Sequence, residues 1–485
     1  MGVSLNPATI LSGQGIDVTS VVSQIITGQS GELTTWQGQQ STLATQDGLL
    51  EGLNNNLTSL QTAVAALADP AGALAAQAAD SSNTAVLTAT ADTSAIAGTH
   101  QIVVNTLATT GTLYTDSVGA GANASFLASG QTNGNIQLQV GGASGTIYDL
   151  PITQGSNDTL SSLATYINNQ STANNWGVTA SIVTDTTGSR LALFSQSSGS
   201  VGALAITSNT NTTLNFATPV GGTNASLAID GVPFSSTSNV VTGAIQGVTL
   251  NLASVSPSSA PLQLTVGPDT AQITAAVNNF IAAYNTAIST INTQYVVDPT
   301  GSIPAPPLEG DISLRSVQSS LLNDASYSIG GNDGLVNLAS LGINTNNDGT
   351  LTLGTTATGA TLASLLASNP SAVQNFFQNA SGTGFAAEFN ADLTSLTNPT
   401  SGPLNVDLGQ NQAEQADLTQ TIANFQAQLS TETAALTTEY NSVNATLQAY
   451  PILLQEVTET IATLGSSDST STTTGVTTPT LTSGL

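Results

Sequence analysis

Near the start of the chain, apolar residues recur every seven positions in two interleaved series. One runs Val22, Trp36, Leu43, Leu50, Leu57, Val64, and the other Val18, Ile25, Leu53, Leu60, Leu67. Their offsets of three and four make the a/d seam of a coiled-coil helix. Gln29, Glu32, Gln39 and Gln46 interrupt the seam, which weakens its first half. Gly28, Gly31, Gly38, Gly48 and Gly52 each cost about 1 kcal/mol inside a helix, so this helix needs a partner. Asp17 is the predicted N-cap, and Asp69-Pro70 the predicted stop.

The other end of the chain repeats the theme. Leu418, Ile422, Phe425 and Leu429 follow 4-3-4 spacing, and Leu436, Tyr440, Val443, Leu447 and Tyr450 resume it after an offset near Thr433. Pro451 is expected to kink or break the helix, with Leu454, Val457, Ile461 and Leu464 continuing the pattern beyond it. The Ser/Thr-rich stretch after Gly465 reads as disordered. A helix of about 50 residues is about 75 Å long at 1.5 Å per residue. Neither helix can bury its seam alone. The two can pair with each other or with neighbouring subunits, and the sequence reading favours assembly.

Between these ends the pattern changes to period two. Thr84–Thr90, His100–Asn105, Ile136–Val140, Val178–Val183, Leu191–Phe194 and Val248–Leu252 alternate or run apolar between Gly, Asn and Ser clusters, as strands do. One amphipathic helix interrupts them at Leu160, Leu163, Tyr166 and Ile167. Helical spacing returns after Asp269, with Ile273, Val277, Phe280, Ile281, Tyr284, Ile288 and Ile291. Pro304–Pro307 mark a loop, and short helices at Ile312–Leu322 and Pro370–Phe377 flank a hairpin near Asn347-Asp348-Gly349. The predicted class is α+β: long terminal coiled-coil helices form a stalk, and β-rich domains are inserted between them. The expected divisions are 1–40 (leg and export segment), 41–82 (stalk helix), 83–130 with 215–268 (β-rich domain), 131–214 (outer β-rich domain), 269–410 (helical/β stalk domain), 411–465 (C-terminal coiled coil) and 466–485 (tail).

Composition narrows the function. Charged residues are only 6% of the 485, against a usual value of about 25%. Two basic residues, Arg190 and Arg315, face 29 acidic ones, for a net charge of −27. Nucleic-acid binding needs several phosphates neutralised and is excluded on this balance. Anionic membrane surfaces repel such a chain. There is no Cys, hence no disulfide, thiol nucleophile or Cys-bound metal. The first residues carry no basic region and no long apolar run, unlike a Sec-type signal. No apolar run reaches the roughly 18 residues of a membrane span.

No catalytic, cofactor-binding or metal-binding residue is assigned. His100, the sole histidine, reads as a structural residue at a strand start. No Gly-x-Ser-x-Gly elbow is suitably placed for a nucleophile. Gly13-x-Gly15 lacks the third Gly of a dinucleotide fingerprint. Asn344–Gly349 echoes a calcium loop, but has Thr355 where the bidentate Glu belongs, and reads as a hairpin turn.

Several short motifs resemble those of the flagellar filament-cap family (hook-associated protein 2, FliD). Gly13-Gln-Gly15-Ile-Asp17-Val-Thr-Ser-Val-Val-Ser-Gln-Ile25 is similar to that family's N-terminal signature, and Ala97–Ala108 to its first β-domain strand. Tyr166-Ile167-Asn168, followed by Gly177–Val183 and Arg190–Leu193, resembles the flagellin-hook "IN" motif. Ala228–Gly231, Asn239 and Ile245–Leu250 resemble the strand pair where the chain returns. Phe280–Asn285, Gly310–Arg315, Ser340–Ile343 and Asp348–Leu351 resemble helical-domain motifs. Together they keep the family order over residues 13 to 465.

The resemblance implies a non-enzymatic protein exported unfolded through the flagellar type III apparatus and located outside the cell on the flagellum. It implies a ring-like homo-oligomer at the filament tip that guides flagellin into place, with hook-associated proteins and an export chaperone as further partners and no cofactor. The terminal helices would act as legs on the filament end. The candidate oligomer and filament contacts are therefore the seams: Val18, Val22, Ile25, Trp36, Leu43, Leu50, Leu57 and Val64, then Leu418, Ile422, Phe425, Leu429, Leu436, Val443 and Leu447. Competing readings are another axial protein (flagellin or a hook–filament junction protein), an extracellular adhesin, and a secreted enzyme acting on polysaccharide. The last would need a carboxylate-lined cleft.

Overall fold

The computed structural model describes residues 15–257, 260–297, 299–300, 302, 304–379 and 382–466. Gly13 and the tail beyond Ser466 lie outside these residues. The helices are α1 (Val18–Gln29), α2 (Gly31–Ala68), α3 (Leu160–Asn174), α4 (Thr270–Thr293), α5 (Ile312–Ala325), α6 (Leu362–Ser368), α7 (Pro370–Gln378), α8 (Phe385–Leu396) and α9 (Pro403–Ser466). The chain divides into two compact units. One comprises residues 1–59, 286–321 and 392–485, and the other residues 60–285 and 322–391.

In the first unit the N-terminal helices meet the C-terminal one. Asp17 caps α1, its Oδ1 accepting the Ser20 N–H at 3.1 Å. The expected single helix is interrupted once, at Ser30, and then runs on to Ala68, one residue before Asp69-Pro70. The α9 helix starts at Pro403, where a proline at the first position needs no N–H partner. It runs on through Pro451, so the break that was one of the two expected outcomes does not occur. Pro451 removes one N–H donor from the helix, and the helix around it is solvent-exposed, so water can satisfy the freed carbonyl.

The second unit holds the β structure. Its first body pairs β1 (Gln77–Ser81), β14 (Leu262–Pro268), β3 (Gly98–Thr106), β10 (Ala225–Ile229) and β11 (Val232–Ser236) in one antiparallel sheet, in that order. A second sheet runs β12 (Val240–Ile245), β13 (Val248–Leu252), β2 (Leu87–Ala91). Both close on one core that includes Leu87, Ile102, Val104, Leu227, Leu250 and Leu264.

The chain leaves this body after β3 and returns at β10, and β3 and β10 are hydrogen-bonded neighbours. Everything between them is an insertion with its own core. The inserted body has sheets β4 (Thr110–Tyr114), β8 (Gly188–Ser198), β7 (Val178–Asp185) and β6 (Thr146–Thr153), β5 (Asn133–Val140), β9 (Leu204–Thr210), with α3 packed on β7. Leu113, Phe126, Ile136, Leu163, Ile167 and Leu193 are among its buried residues. The inserted core begins earlier than the expected outer domain at residue 131, since Leu113 and Phe126 belong to it.

A third cluster is aromatic. Phe280, Phe376, Phe377, Phe385 and Phe389, half of the chain's ten phenylalanines, pack largely edge-to-face with centroids 5.2–5.9 Å apart. The expected hairpin forms beside them from β15 (Ile343–Thr345) and β16 (Leu351–Leu353).

Candidate assembly surface

The terminal helices form an antiparallel hairpin within one chain. Its register can be read from side-chain partners. The Ile16 N–H donates to Asn444 Oδ1 at 2.7 Å, and Gln29 Nε2 donates to Glu432 Oε1 at 2.8 Å. Trp36 meets Phe425 edge-on at 5.2 Å. Gln40 Nε2 donates to Thr419 Oγ1, Gln415 Nε2 to Asp47 Oδ2, and Asn54 Nδ2 to Asn405 Oδ1. In every pair the two residue numbers add to about 460. Both helices therefore rise at the same rate past each other without a slip.

Most of the N-terminal seam is buried. Val18, Val22, Leu43, Leu50, Leu57 and Val64 are buried, as are Ile422 and Leu429 on α9. Each such burial is worth about 1.5–3 kcal/mol. Ile25, Trp36, Leu418, Phe425, Leu436 and Leu447 are half-buried, and Val443 is 44% exposed. A graded part of the seam thus still faces solvent. Beyond them Tyr450, Leu454, Val457, Ile461 and Leu464 are exposed.

The Gly15–Asp17 turn has a steric cause. Gly15 has φ +73°, and a Cβ there would overlap Asn444 Oδ1. Only glycine lets the turn approach α9 closely enough for the Ile16–Asn444 bond.

The "IN" pair divides its work. Ile167 is fully buried in the inserted core. Asn168 brackets one strand residue: its Oδ1 accepts the Ala180 N–H at 2.8 Å and its Nδ2 donates to the Ala180 carbonyl at 2.9 Å. Because β7 is an edge strand, this amide satisfies backbone groups that would otherwise be open to another strand. The same device recurs at two other motif asparagines. Asn239 brackets Ala108 with bonds of 2.7 and 2.9 Å, and Asn285 brackets Leu351 with bonds of 2.6 and 2.8 Å. The sequence pattern singled out these three positions but not their shared role, because an amide's backbone partner is a tertiary fact.

His100 is half-exposed and pairs through Nδ1 with Asp230 Oδ2 at 2.8 Å, while Asp230 Oδ1 accepts the Gln101 N–H. The pair ties the β10–β11 turn to β3. Those bonds hold the Asp230 carboxyl below the usual carboxylate range. Asn346 to Thr350 form a hairpin turn in which Asp348 Oδ1 accepts from Thr350. One cleft of 360 Å³ in the first unit carries Glu309, Asp311 and Asp407. Burial, opposed by a Ser313 hydrogen bond and reinforced by Asp311, pushes the Asp407 carboxyl up. No aromatic ring on which a sugar could stack is among the residues lining this cleft.

Family models match the chain in order. The flagellar hook-associated protein 2 N-terminus model covers residues 14–111, the flagellin hook IN motif residues 135–197, and the hook-associated protein 2 C-terminus model residues 222–450. The chain belongs to the flagellar hook-associated protein 2 family. It is 28% identical to the B-type flagellar hook-associated protein 2 of Pseudomonas aeruginosa, over 92% of this chain and 96% of that protein. It is 27% identical to flagellar hook-associated protein 2 of Escherichia coli K12, over 70% and 74%. Among solved structures it is similar to the D1-D2-D3 domains of the flagellar cap protein FliD from Escherichia coli, with a TM-score of 0.56 and 26% identity, covering 75% of this chain and 99% of that one. The family is one of structural cap proteins. The α+β class with terminal helices is shared with that structure.

Proposed function

We propose that this hook-associated protein 2 homologue is the structural cap at the tip of the bacterial flagellar filament. It works outside the cell and guides flagellin subunits into the growing end. The observation that carries the reading is the ordered match of N-terminal, IN-motif and C-terminal models along residues 14–450. Among the described residues no helix is long and apolar enough to cross a membrane.

The mechanics follow from the two kinds of structure. The chain makes and breaks no covalent bond. It forms a ring-like homo-oligomer whose β bodies, the two-sheet host and the insertion between β3 and β10, close the lumen. The helical ends (1–82 and 411–465) are the legs, the segment 269–410 joins stalk to plate, and 466–485 is a tail. The half-exposed seam residues Ile25, Trp36, Leu418, Phe425, Leu436, Val443 and Leu447 supply contacts to flagellin and neighbouring copies. Buried seam residues such as Leu50 and Leu57 set the leg's shape. Export passes through the type III apparatus with a chaperone, and hook-associated proteins are the first surface the cap meets.

The test is a strain lacking this gene. Loss of swimming, with monomeric flagellin leaking into the medium and rescue by the intact gene, is the expected result. Normal filaments and normal swimming would overturn the proposal.

A further inference from the structure

Four consecutive residues of the second unit, Gly331, Asn332, Asp333 and Gly334, have positive φ, at 78°, 52°, 53° and 84°. Asn332 and Asp333 are the unusual pair, because an L side chain is disfavoured in the left-handed region. Neighbouring side chains hold them there. Asn332 Nδ2 donates to the carbonyls of Leu335 at 2.8 Å and Ala372 at 2.9 Å, and its Oδ1 accepts from Asn375 Nδ2 at 2.9 Å. Asp333 Oδ2 accepts from Asn369 Nδ2 at 3.1 Å. The turn is thus pinned to α7 from two sides. Backbone strain that its surroundings over-determine concentrates at functional sites.

What the pinned turn fixes is one carboxylate in the lining of a pocket of about 660 Å³. Among the residues lining it, Asp333 alone is charged. Leu335, Val336 and Leu365 supply apolar surface, and Asn344 and Thr355 supply polar atoms. Asp333 Oδ1 and Asn344 Oδ1 have no hydrogen-bond partner among the described residues. Two open acceptors beside an apolar surface suit a donor-rich cation on an aliphatic stem.

We infer that this pocket takes an arginine side chain presented by a partner polypeptide. A guanidinium offers five N–H donors in a planar fork and no acceptor, so it can meet a carboxylate and an amide oxygen together, while its stem packs on leucine. The chain's own cations are engaged elsewhere. Arg190 pairs with Asp185 in the inserted body, and Arg315 lies on α5 beside Tyr295. A molecule of net charge −27 also draws cationic surfaces toward it. Free arginine fits less well, since its own carboxylate meets no cation in the lining and is repelled by Asp333. The inference stands whether or not the protein caps a filament.

The test titrates Nα-acetyl-L-arginine N-methylamide, which mimics arginine within a chain, into the ¹⁵N-labelled full-length protein. The readout is the amide shifts of residues 333–337, 344 and 355–358. The expected result is saturable shifts confined to those residues, with a roughly millimolar Kd, as one open ion pair allows. The matching citrulline compound, neutral and nearly isosteric, should bind about tenfold more weakly. Asp333→Asn keeps a side chain that tolerates the left-handed region and removes the charge, and should weaken binding to the same extent with amides elsewhere unmoved. Absence of saturable shifts at these residues, equal binding of the citrulline compound, or undiminished binding to Asp333→Asn would each overturn the inference. Tighter binding of free L-arginine than of the capped form would overturn it in favour of a small-molecule site.

Discussion

Replacing Asn168 tests whether the IN motif works as a strand bracket. The amide makes two bonds to Ala180, one as acceptor and one as donor. Each is worth about 1 kcal/mol, and each backbone group left unpaired costs somewhat more where water cannot replace the amide. Asn168→Ala removes both and should cost about 2–3 kcal/mol. Asn168→Asp keeps the accepting oxygen but turns a carboxylate toward the Ala180 carbonyl, so at pH 7 its cost should be similar, about 2 kcal/mol. The two variants then diverge with pH. The carbonyl favours the protonated acid, which raises the folded-state pKa of the introduced carboxyl above its unfolded value near 3.9. Stability from that proton is present below the unfolded value and lost as pH rises through the folded one. Asn168→Asp should therefore recover toward wild type between about pH 5 and pH 4, while Asn168→Ala should not. Trp176 is a local reporter: it is buried in the inserted body and stacked on Tyr148 at 4.5 Å. The only other tryptophan is Trp36, so a Trp36→Phe background isolates the signal. With a urea slope of about 1–1.5 kcal/mol per molar for a body of this size, the midpoint should fall by more than about 1 M. Equal midpoints for wild type and Asn168→Asp at pH 7, or parallel pH profiles for the two variants, would refute the bracket.

Gly15→Ala places a methyl group against Asn444 at a φ of +73°; it should cost about 1–3 kcal/mol and speed amide exchange around residues 440–448, and an unchanged exchange profile would contradict the close-approach argument. Asp407→Asn removes a carboxylate whose burial and proximity to Asp311 raise its pKa. Stability is lost as pH rises through the raised value, so the variant should gain a small amount, about 0.5 kcal/mol, at pH 7 and nothing below pH 4. Hydrogen bonds hold Asp92, Asp149, Asp185, Asp230 and Asp348 below the usual range; depressed values stabilise above the unfolded pKa and are lost on acidification, so melting should not weaken until about pH 4. Added salt at pH 7 should raise the melting temperature by screening the −27 charge, and a salt-independent melting temperature would refute that.

Elements with strong periodicity were legible in the sequence. The 3-and-4 spacing gave both terminal helices, and alternation gave β3, β5, β7, β8 and β13. The strands that escaped are polar or interrupted. β4 reads Thr-Gly-Thr-Leu-Tyr, and β9 has its apolar residues only at its start. Pro151 and Pro233 argue against strands, yet β6 and β11 are edge strands, where a missing N–H is tolerated. Pro451 misled in the same way, because an exposed helix can lose one bond to water without breaking. The pairing of the two ends was legible only as a choice, since a seam states that a partner exists and not which one. Cross-chain partners such as Asn444 and Gln415 carry no local signal: they are single polar residues whose meaning comes from a register 428 and 368 positions away.

The glycines of α1 and α2 pose the opposite problem, a strong local signal with no steric reason behind it. A Cβ at Gly28, Gly31, Gly38, Gly48 or Gly52 would meet nothing within 4 Å. Nothing in this chain requires glycine at these positions, yet each weakens the helix by about 1 kcal/mol relative to alanine. Gly38→Ala/Gly48→Ala should accordingly stabilise the hairpin by about 1–2 kcal/mol, part of it through a less flexible unfolded chain. Trp36, packed against Phe425, reports on this region in a Trp176→Phe background. A urea midpoint shifted upward by about 1 M is expected. An unchanged or lowered midpoint would mean that the open face meets something in the free protein, and the reasoning would fail. If the gain appears, the same variant separates two uses of a soft helix. A leg that must pass unfolded through an export channel should be secreted more slowly when stiffened, whereas a leg that needs close approach of another helix on its glycine face should be secreted normally and fail to restore swimming. The first outcome follows from folding energetics alone, because a more stable hairpin resists the unfolding that the proposed export route requires, and it is the one these open positions favour.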